Sequence, residues 1–97
     1  MTARPLTPEQ IADRMASLDG WSIVDGKLHR DFVFDDFVTA FGFMARCALV
    51  AEALGHHPEW CNVYGRVTVR LTTHDAGGIT DADFALAARM NDLAARR

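Results

Sequence analysis

At 97 residues the chain is long enough for one compact domain, expected over 1–97, and too short for two. Hydrophobic residues make up 49%, so an ordinary core is available, and a formal net charge of -3 with acids and bases interspersed argues against a dedicated nucleic-acid or membrane surface. No apolar run long enough to cross a bilayer is expected, and the opening MTARPLTPEQ lacks the apolar core of a signal peptide, so a cytoplasmic location is expected.

Taken in chain order, the first element is a helix opening at Thr7-Pro8-Glu9-Gln10. Thr7 is a cap, Pro8 suits the first helical position, and Gln10 completes a capping box. Ile11, Met15 and Leu18 follow at helical spacing, and Asp19-Gly20 is the expected stop. Trp21 to Val24 and Leu28 to Phe34 read as strands around Asp25-Gly26, a hairpin signal. Leu28, Phe32 and Phe34 share one parity, which Arg30 interrupts. Asp35 or Asp36 caps a second helix with an expected apolar face of Phe37, Ala40, Phe41, Met44, Ala48 and Leu49, ended by Gly55.

Cys61 to Tyr64 and Val67 to Thr73 read as a second strand pair, with Gly65-Arg66 as a two-residue loop. Val67, Val69 and Leu71 point one way; Thr68, Arg70 and Thr72 point the other. Thr80-Asp81-Ala82-Asp83 opens a third helix, with Phe84, Ala87, Ala88 and Met90 toward the core. The order α-β-β-α-β-β-α, with hairpin-joined strands, predicts an α+β fold: an antiparallel sheet with helices covering its apolar face. So small a domain leaves much of its surface exposed, which favours self-association.

The two cysteines, Cys47 on an apolar helical stretch and Cys61 on a strand, lack CxxC spacing and are expected as buried free thiols, consistent with a reducing compartment. Four histidines occur. His29 falls on a strand at the parity opposite Leu28 and is expected at the surface. The other three, His56, His57 and His74, lie close together in sequence. Pro58 pushes His57 toward extended backbone, where neighbouring side chains diverge. The adjacent rings therefore flank a cleft more readily than they chelate one ion. Glu52, one helical turn before His56, is placed to hold that ring; a carboxylate on one ring nitrogen fixes the tautomer. Loop decoration, metal ligation and acid/base chemistry remain open on spacing alone. No nucleophile motif or phosphate-cradling loop is present.

The run E-A-L-G-H-H-P-E-W-C-N-V-Y, Glu52 to Tyr64, followed by V-R-L-T-T-H-D-A-G-G-I-T-D-A-D, Val69 to Asp83, closely resembles the pterin-4a-carbinolamine dehydratase family. The capped first helix, Trp21 and the aromatic strand ending at Phe34 extend the resemblance over nearly the full length. It implies a four-stranded antiparallel sheet with three helices on one face, and association into homodimers or homotetramers. It implies dehydration of 4a-hydroxytetrahydrobiopterin to quinonoid dihydropterin, which recycles the pterin of aromatic amino acid hydroxylases. No metal or organic cofactor is implied; the pterin is the substrate. By position, His56, His57 and His74 match the family's active-site histidines, and Glu52 the carboxylate partnering the first. His57, Pro58, Trp60 and Asp83 match positions around the substrate, with core packing and a helix N-terminal charge as the alternatives for Trp60 and Asp83. Ala76 stands where animal relatives carry a cysteine, and Gly65 where relatives often carry asparagine. The rival readings are a protein-binding module, since animal relatives also stabilise dimers of a homeodomain transcription factor, and a noncatalytic accessory relative.

Overall fold

Cap chemistry sets where the helices begin. In a computed structural model, which describes residues 4–96, helix α1 spans Pro8–Met15 behind the expected capping box: the Thr7 N–H donates to Gln10 Oε1 at 2.8 Å and the Gln10 N–H to Thr7 Oγ1 at 3.2 Å. The helix stops at Met15, before Asp19-Gly20, and Leu18 reaches the core from the turn that follows. Strands β1 (Ser22–Val24) and β2 (Lys27–Val33) are joined by Asp25 and Gly26, both at positive φ (52° and 75°), the backbone of a type I′ hairpin. Helix α2 (Phe37–Leu54) is capped by Asp36, whose carboxylate accepts from the Thr39 N–H at 2.7 Å. That bond holds the Asp36 carboxyl below its ordinary value.

Strands β3 (Glu59–Val63) and β4 (Arg66–Leu71) form the second hairpin, a short 3₁₀ turn covers His74–Ala76, and helix α3 spans Asp81–Ala95. Val63 pairs with Arg66, so the loop is Tyr64-Gly65 rather than Gly65-Arg66, and Tyr64 takes the positive φ. Gly65 has a different task. Its carbonyl accepts from the Phe34 N–H at 2.7 Å, and a Cβ there would meet the Phe34 carbonyl oxygen at 2.3 Å.

The four strands form one antiparallel sheet in the order β1-β2-β4-β3. Leu28, Phe32, Val67, Val69 and Leu71 are buried on its covered face, while Asp31, Val33, Arg66 and Arg70 are exposed on the other. The fold is therefore the expected α+β arrangement with helices on one side. Arg30 faces the covered side too. Its guanidinium lies 4.4 Å from the Phe32 ring centroid, and Nη1 donates to the Asp19 carbonyl and to Asn91 Oδ1, so the charge reaches the edge of the core with hydrogen bonds at that nitrogen. Phe43 packs against Phe32 and Phe34, with ring centroids 4.7 and 5.0 Å away.

Two helix faces differ from expectation. The buried residues of α2 are Ala40, Phe43, Cys47 and Ala51, whereas Phe37, Phe41, Ala48 and Leu49 are exposed. The helix is apolar on nearly every side, so periodicity alone does not select its inner stripe. At 18 residues and mean hydropathy 1.6, α2 also has the length and composition of a membrane span, contrary to the expectation from the sequence; here its inner stripe packs into the globular core. On α3, Leu86 is buried and Ala88 exposed. Cys47 is buried as expected, and burial pushes its thiol up to about 12 against the opposing charge of Arg46. Cys61 is exposed, because its register partner Thr68 lies on the open face of the sheet. His29 shares that open face but is only half-buried, with Nδ1 lacking a hydrogen-bond partner among the described residues.

Candidate active site

The end of α2 sets the first two histidines. Gly55 adopts the left-handed conformation (φ 67°), its N–H bonding back to the Glu52 carbonyl at 3.1 Å and the His56 N–H to the Ala51 carbonyl at 3.0 Å. This is a Schellman closure, and it takes His56 off the helical ladder. The expected Glu52–His56 contact assumed that the ladder continued. Instead His56 Nε2 lies 2.5 Å from Asp83 Oδ1, and Glu52 Oε1 lies 2.8 Å from His57 Nε2. The Glu52 pairing is thus corrected by one residue.

Asp83 occupies the third position of α3 and is fully buried. Its Oδ2 accepts from the Thr80 N–H and from the Thr73 hydroxyl, both at 2.9 Å, while Oδ1 meets His56. The Thr73 proton is committed to Asp83, so the Thr80 hydroxyl donates to Thr73 Oγ1 at 2.7 Å and accepts from the Ala82 N–H at 3.2 Å. The capping box that starts α3 is thereby also the support of His56. The sequence points to Asp83 as a residue around the substrate that shapes or supports the cleft, with a helix N-terminal charge as the alternative; in the structure it is part of the α3 cap and meets the His56 ring.

His74 comes from the 3₁₀ turn after β4, a turn closed by the Gly77 N–H on the Thr73 carbonyl at 3.1 Å. Its Nε2 lies 3.0 Å from Glu59 Oε2, and Glu59 Oε1 accepts from Lys27 Nζ at 2.7 Å. Neither Glu59 nor Lys27 was singled out in the sequence, although Glu59 lies inside the His-His-Pro-Glu-Trp run; its partner is 32 residues away. The Lys27 hydrogen bond, with a smaller contribution from His74, holds the Glu59 carboxyl below the ordinary glutamate range despite an opposing desolvation effect.

His56, His57 and His74 line one open cleft of about 250 Å³ together with Gly55, Thr72, Thr73 and Asp75. That size is close to the roughly 300 Å³ at which small-molecule pockets begin. Side-chain exposure is 14% for His56, 64% for His57 and 77% for His74, so one ring is set into the wall and two project from the rim. Pro58 and Trp60 are half-buried and do not line this cleft. Trp60 pairs with Val69 on the covered face and packs against the core. Among the described residues no three His, Cys, Asp or Glu side chains form a group that could hold a metal ion.

Fold and cleft together define a small α+β protein that carries three histidine–carboxylate pairs at one end of an antiparallel sheet. Residues 4–93 match the family described as pterin 4 alpha carbinolamine dehydratase. A Solibacter usitatus protein named for pterin-4-alpha-carbinolamine dehydratase activity is 56% identical over 90 residues, covering 93% of this chain and 95% of that one. A Prochlorococcus marinus protein of the same name is 53% identical over 93 residues, covering 96% and 97%. The crystal structure of a transcriptional coactivator/pterin dehydratase from Brucella melitensis superposes with a TM-score of 0.90 at 49% identity, over 94% of this chain and 99% of that one. The chain belongs to the pterin-4a-carbinolamine dehydratase family and is a dehydratase, a lyase whose substrate class is a pterin.

Proposed function

We propose that the protein dehydrates 4a-hydroxytetrahydrobiopterin to quinonoid dihydropterin by histidine general acid–base catalysis. The observation that carries the reading is the convergence of His56, His57 and His74 on one cleft, each ring bonded through Nε2 to its own carboxylate. Elimination requires a proton on the departing C4a hydroxyl and removal of the proton on N5. A protonated histidine delivers the first as the C4a–O bond breaks and water leaves. A neutral histidine takes the second as the N5=C4a double bond forms. The two protons balance, and exchange between the rings or with water restores the starting state.

His56 and His74 are the acid–base pair in this scheme, in either order according to the face that carries the hydroxyl. Asp83, not Glu52, orients His56. Its acceptor-only carboxylate selects Nε2 as the protonated nitrogen and leaves Nδ1 for chemistry. Glu52 steadies His57, which positions the pterin. Such catalysis is worth about 10²–10⁴-fold, enough for a carbinolamine that loses water unaided. No metal or organic cofactor enters the scheme. Pterin recycling for an aromatic amino acid hydroxylase, in a reducing cytoplasm, is the physiological setting this reading proposes.

Stopped-flow dehydration of synthetic 4a-hydroxytetrahydropterin tests it. His56→Ala and His74→Ala should each slow the step by about 10²-fold or more with the fold intact. Unchanged rates in both variants refute the assignment. Chelator treatment should leave the rate untouched; a loss restored by added metal would favour a metal mechanism.

A second contact is proposed on the outer face of α2. Phe37, Val38, Phe41 and Leu49 are exposed there, a run of large apolar side chains turned away from the buried stripe of the helix. Self-association into a homodimer or homotetramer through this face is the reading, and a protein partner is its competitor.

A further inference from the structure

We propose that Glu59, anchored by Lys27, is the positioning residue of His74, selecting Nε2 as its protonated nitrogen and turning Nδ1 to the pterin; this rests on the role of His74 proposed above. The three histidines are held in different ways. His56 is fixed by burial and by a buried aspartate. His57 is steadied by a carboxylate on its own helix end, five residues earlier. His74 stands on a 3₁₀ turn with its ring 77% exposed, so packing does little to orient it. Among the described residues its ring makes one hydrogen bond, Nε2 to Glu59 Oε2 at 3.0 Å, and that bond orients it.

Glu59 is itself held from the other side. Its second oxygen accepts from Lys27 Nζ at 2.7 Å. Glu59 begins β3 and Lys27 begins β2, and β4 runs between these strands, so the ion pair spans the open face of the sheet. Both carboxylate oxygens are engaged, which restricts the side chain to rotations that keep Oε2 toward His74. A carboxylate only accepts, so the ring nitrogen facing it carries the hydrogen and the other nitrogen has the lone pair in the neutral ring. Lys27 has a further effect. Its hydrogen bond lowers the Glu59 carboxyl further below the ordinary glutamate value and so favours the charged, acceptor-only form that faces His74. No covalent step involves Glu59 or Lys27.

The test uses the full chain in three variants, Glu59→Gln, Lys27→Met and Lys27→Arg. Long-range ¹H–¹⁵N NMR on histidine-labelled protein reads the His74 tautomer, and stopped-flow dehydration reads kcat and KM. The wild type should show His74 as the Nε2–H tautomer. Glu59→Gln should yield a tautomer mixture and lower kcat about tenfold with KM nearly unchanged, a smaller loss than the ~10⁴-fold seen when a buried orienting carboxylate is replaced. Lys27→Met should follow in the same direction, and Lys27→Arg should restore both readouts. An unchanged tautomer in Glu59→Gln overturns the proposal. So does a kcat loss that only tracks lost thermal stability. If wild-type protein does not accelerate dehydration, the proposed mechanism fails, and the NMR readout alone then decides whether Glu59 sets the ring.

Discussion

Each histidine of the cleft meets its carboxylate in a different environment, and the consequences of removing the carboxylate differ accordingly. Asp83 is fully buried and accepts from the Thr80 N–H, the Thr73 hydroxyl and His56. Asp83→Ala leaves the buried Thr80 N–H and the partly buried Thr73 hydroxyl and His56 ring without their acceptor and should cost about 2–4 kcal/mol in urea denaturation. Asp83→Asn keeps the volume and should retain more stability while still slowing dehydration. Glu59 behaves oppositely because it is near the surface. Its folded-state carboxyl sits below the ordinary value of 4.5, so its stabilising contribution is complete above about pH 4.5 and is lost as pH falls through the lower folded value. The melting-temperature difference between wild type and Glu59→Gln should therefore be small at neutral pH and vanish in acid. A difference that grew on acidification would contradict the ion pair. The thiols separate as cleanly. Cys47, pushed up to about 12 by burial, should resist alkylation at pH 8 in the folded protein, while exposed Cys61 should label; mass spectrometry of the alkylated peptides reads both.

Among the elements, turns and caps carry the positional information. Gly26 has φ 75° with open space around a hypothetical Cβ, so Gly26→Ala should cost about 1–2 kcal/mol through backbone conformation alone. A change in urea midpoint measures it. Gly55 is equally open at φ 67°, but it also releases His56 from the α2 ladder. Gly55→Ala should add a loss of dehydration rate to a similar stability cost, which Gly26→Ala should not show. The start of α3 likewise serves two purposes, since the capping pair Thr80 and Asp83 both reach toward β4 and the cleft. At its other end α3 is held by Arg46 of α2, whose guanidinium donates to the Leu93 and Arg96 carbonyls at 3.2 and 2.8 Å. These were the elements most readable in advance. Thr7 with Gln10, Asp25-Gly26 and Thr80 with Asp83 are chemically specific over short distances. The inner face of α2 was less readable, because its apolar residues surround the helix and only the sheet distinguishes Phe43 from Phe41.

For the whole molecule, the exposed apolar face of α2 is where the proposed self-association would lie. Phe41→Glu places a charge in its middle and should shift the protein toward monomer in sedimentation velocity while leaving the circular dichroism spectrum unchanged; an unaltered oligomer would move the contact elsewhere. By itself the sequence determined the element order, most helix starts, the first hairpin turn, the pterin dehydratase resemblance and the grouping of His56, His57 and His74. Those features rest on local chemistry or on an ordered run of residues. Tertiary structure decided which carboxylate meets which ring. Glu52 serves His57, Asp83 serves His56 from 27 residues away, and Glu59 serves His74 while Lys27 holds it across the open face of the sheet. The physical reason is that a left-handed glycine, a strand register and a buried cap each set where a side chain ends up, and none of these is encoded in the spacing of the residues that finally meet.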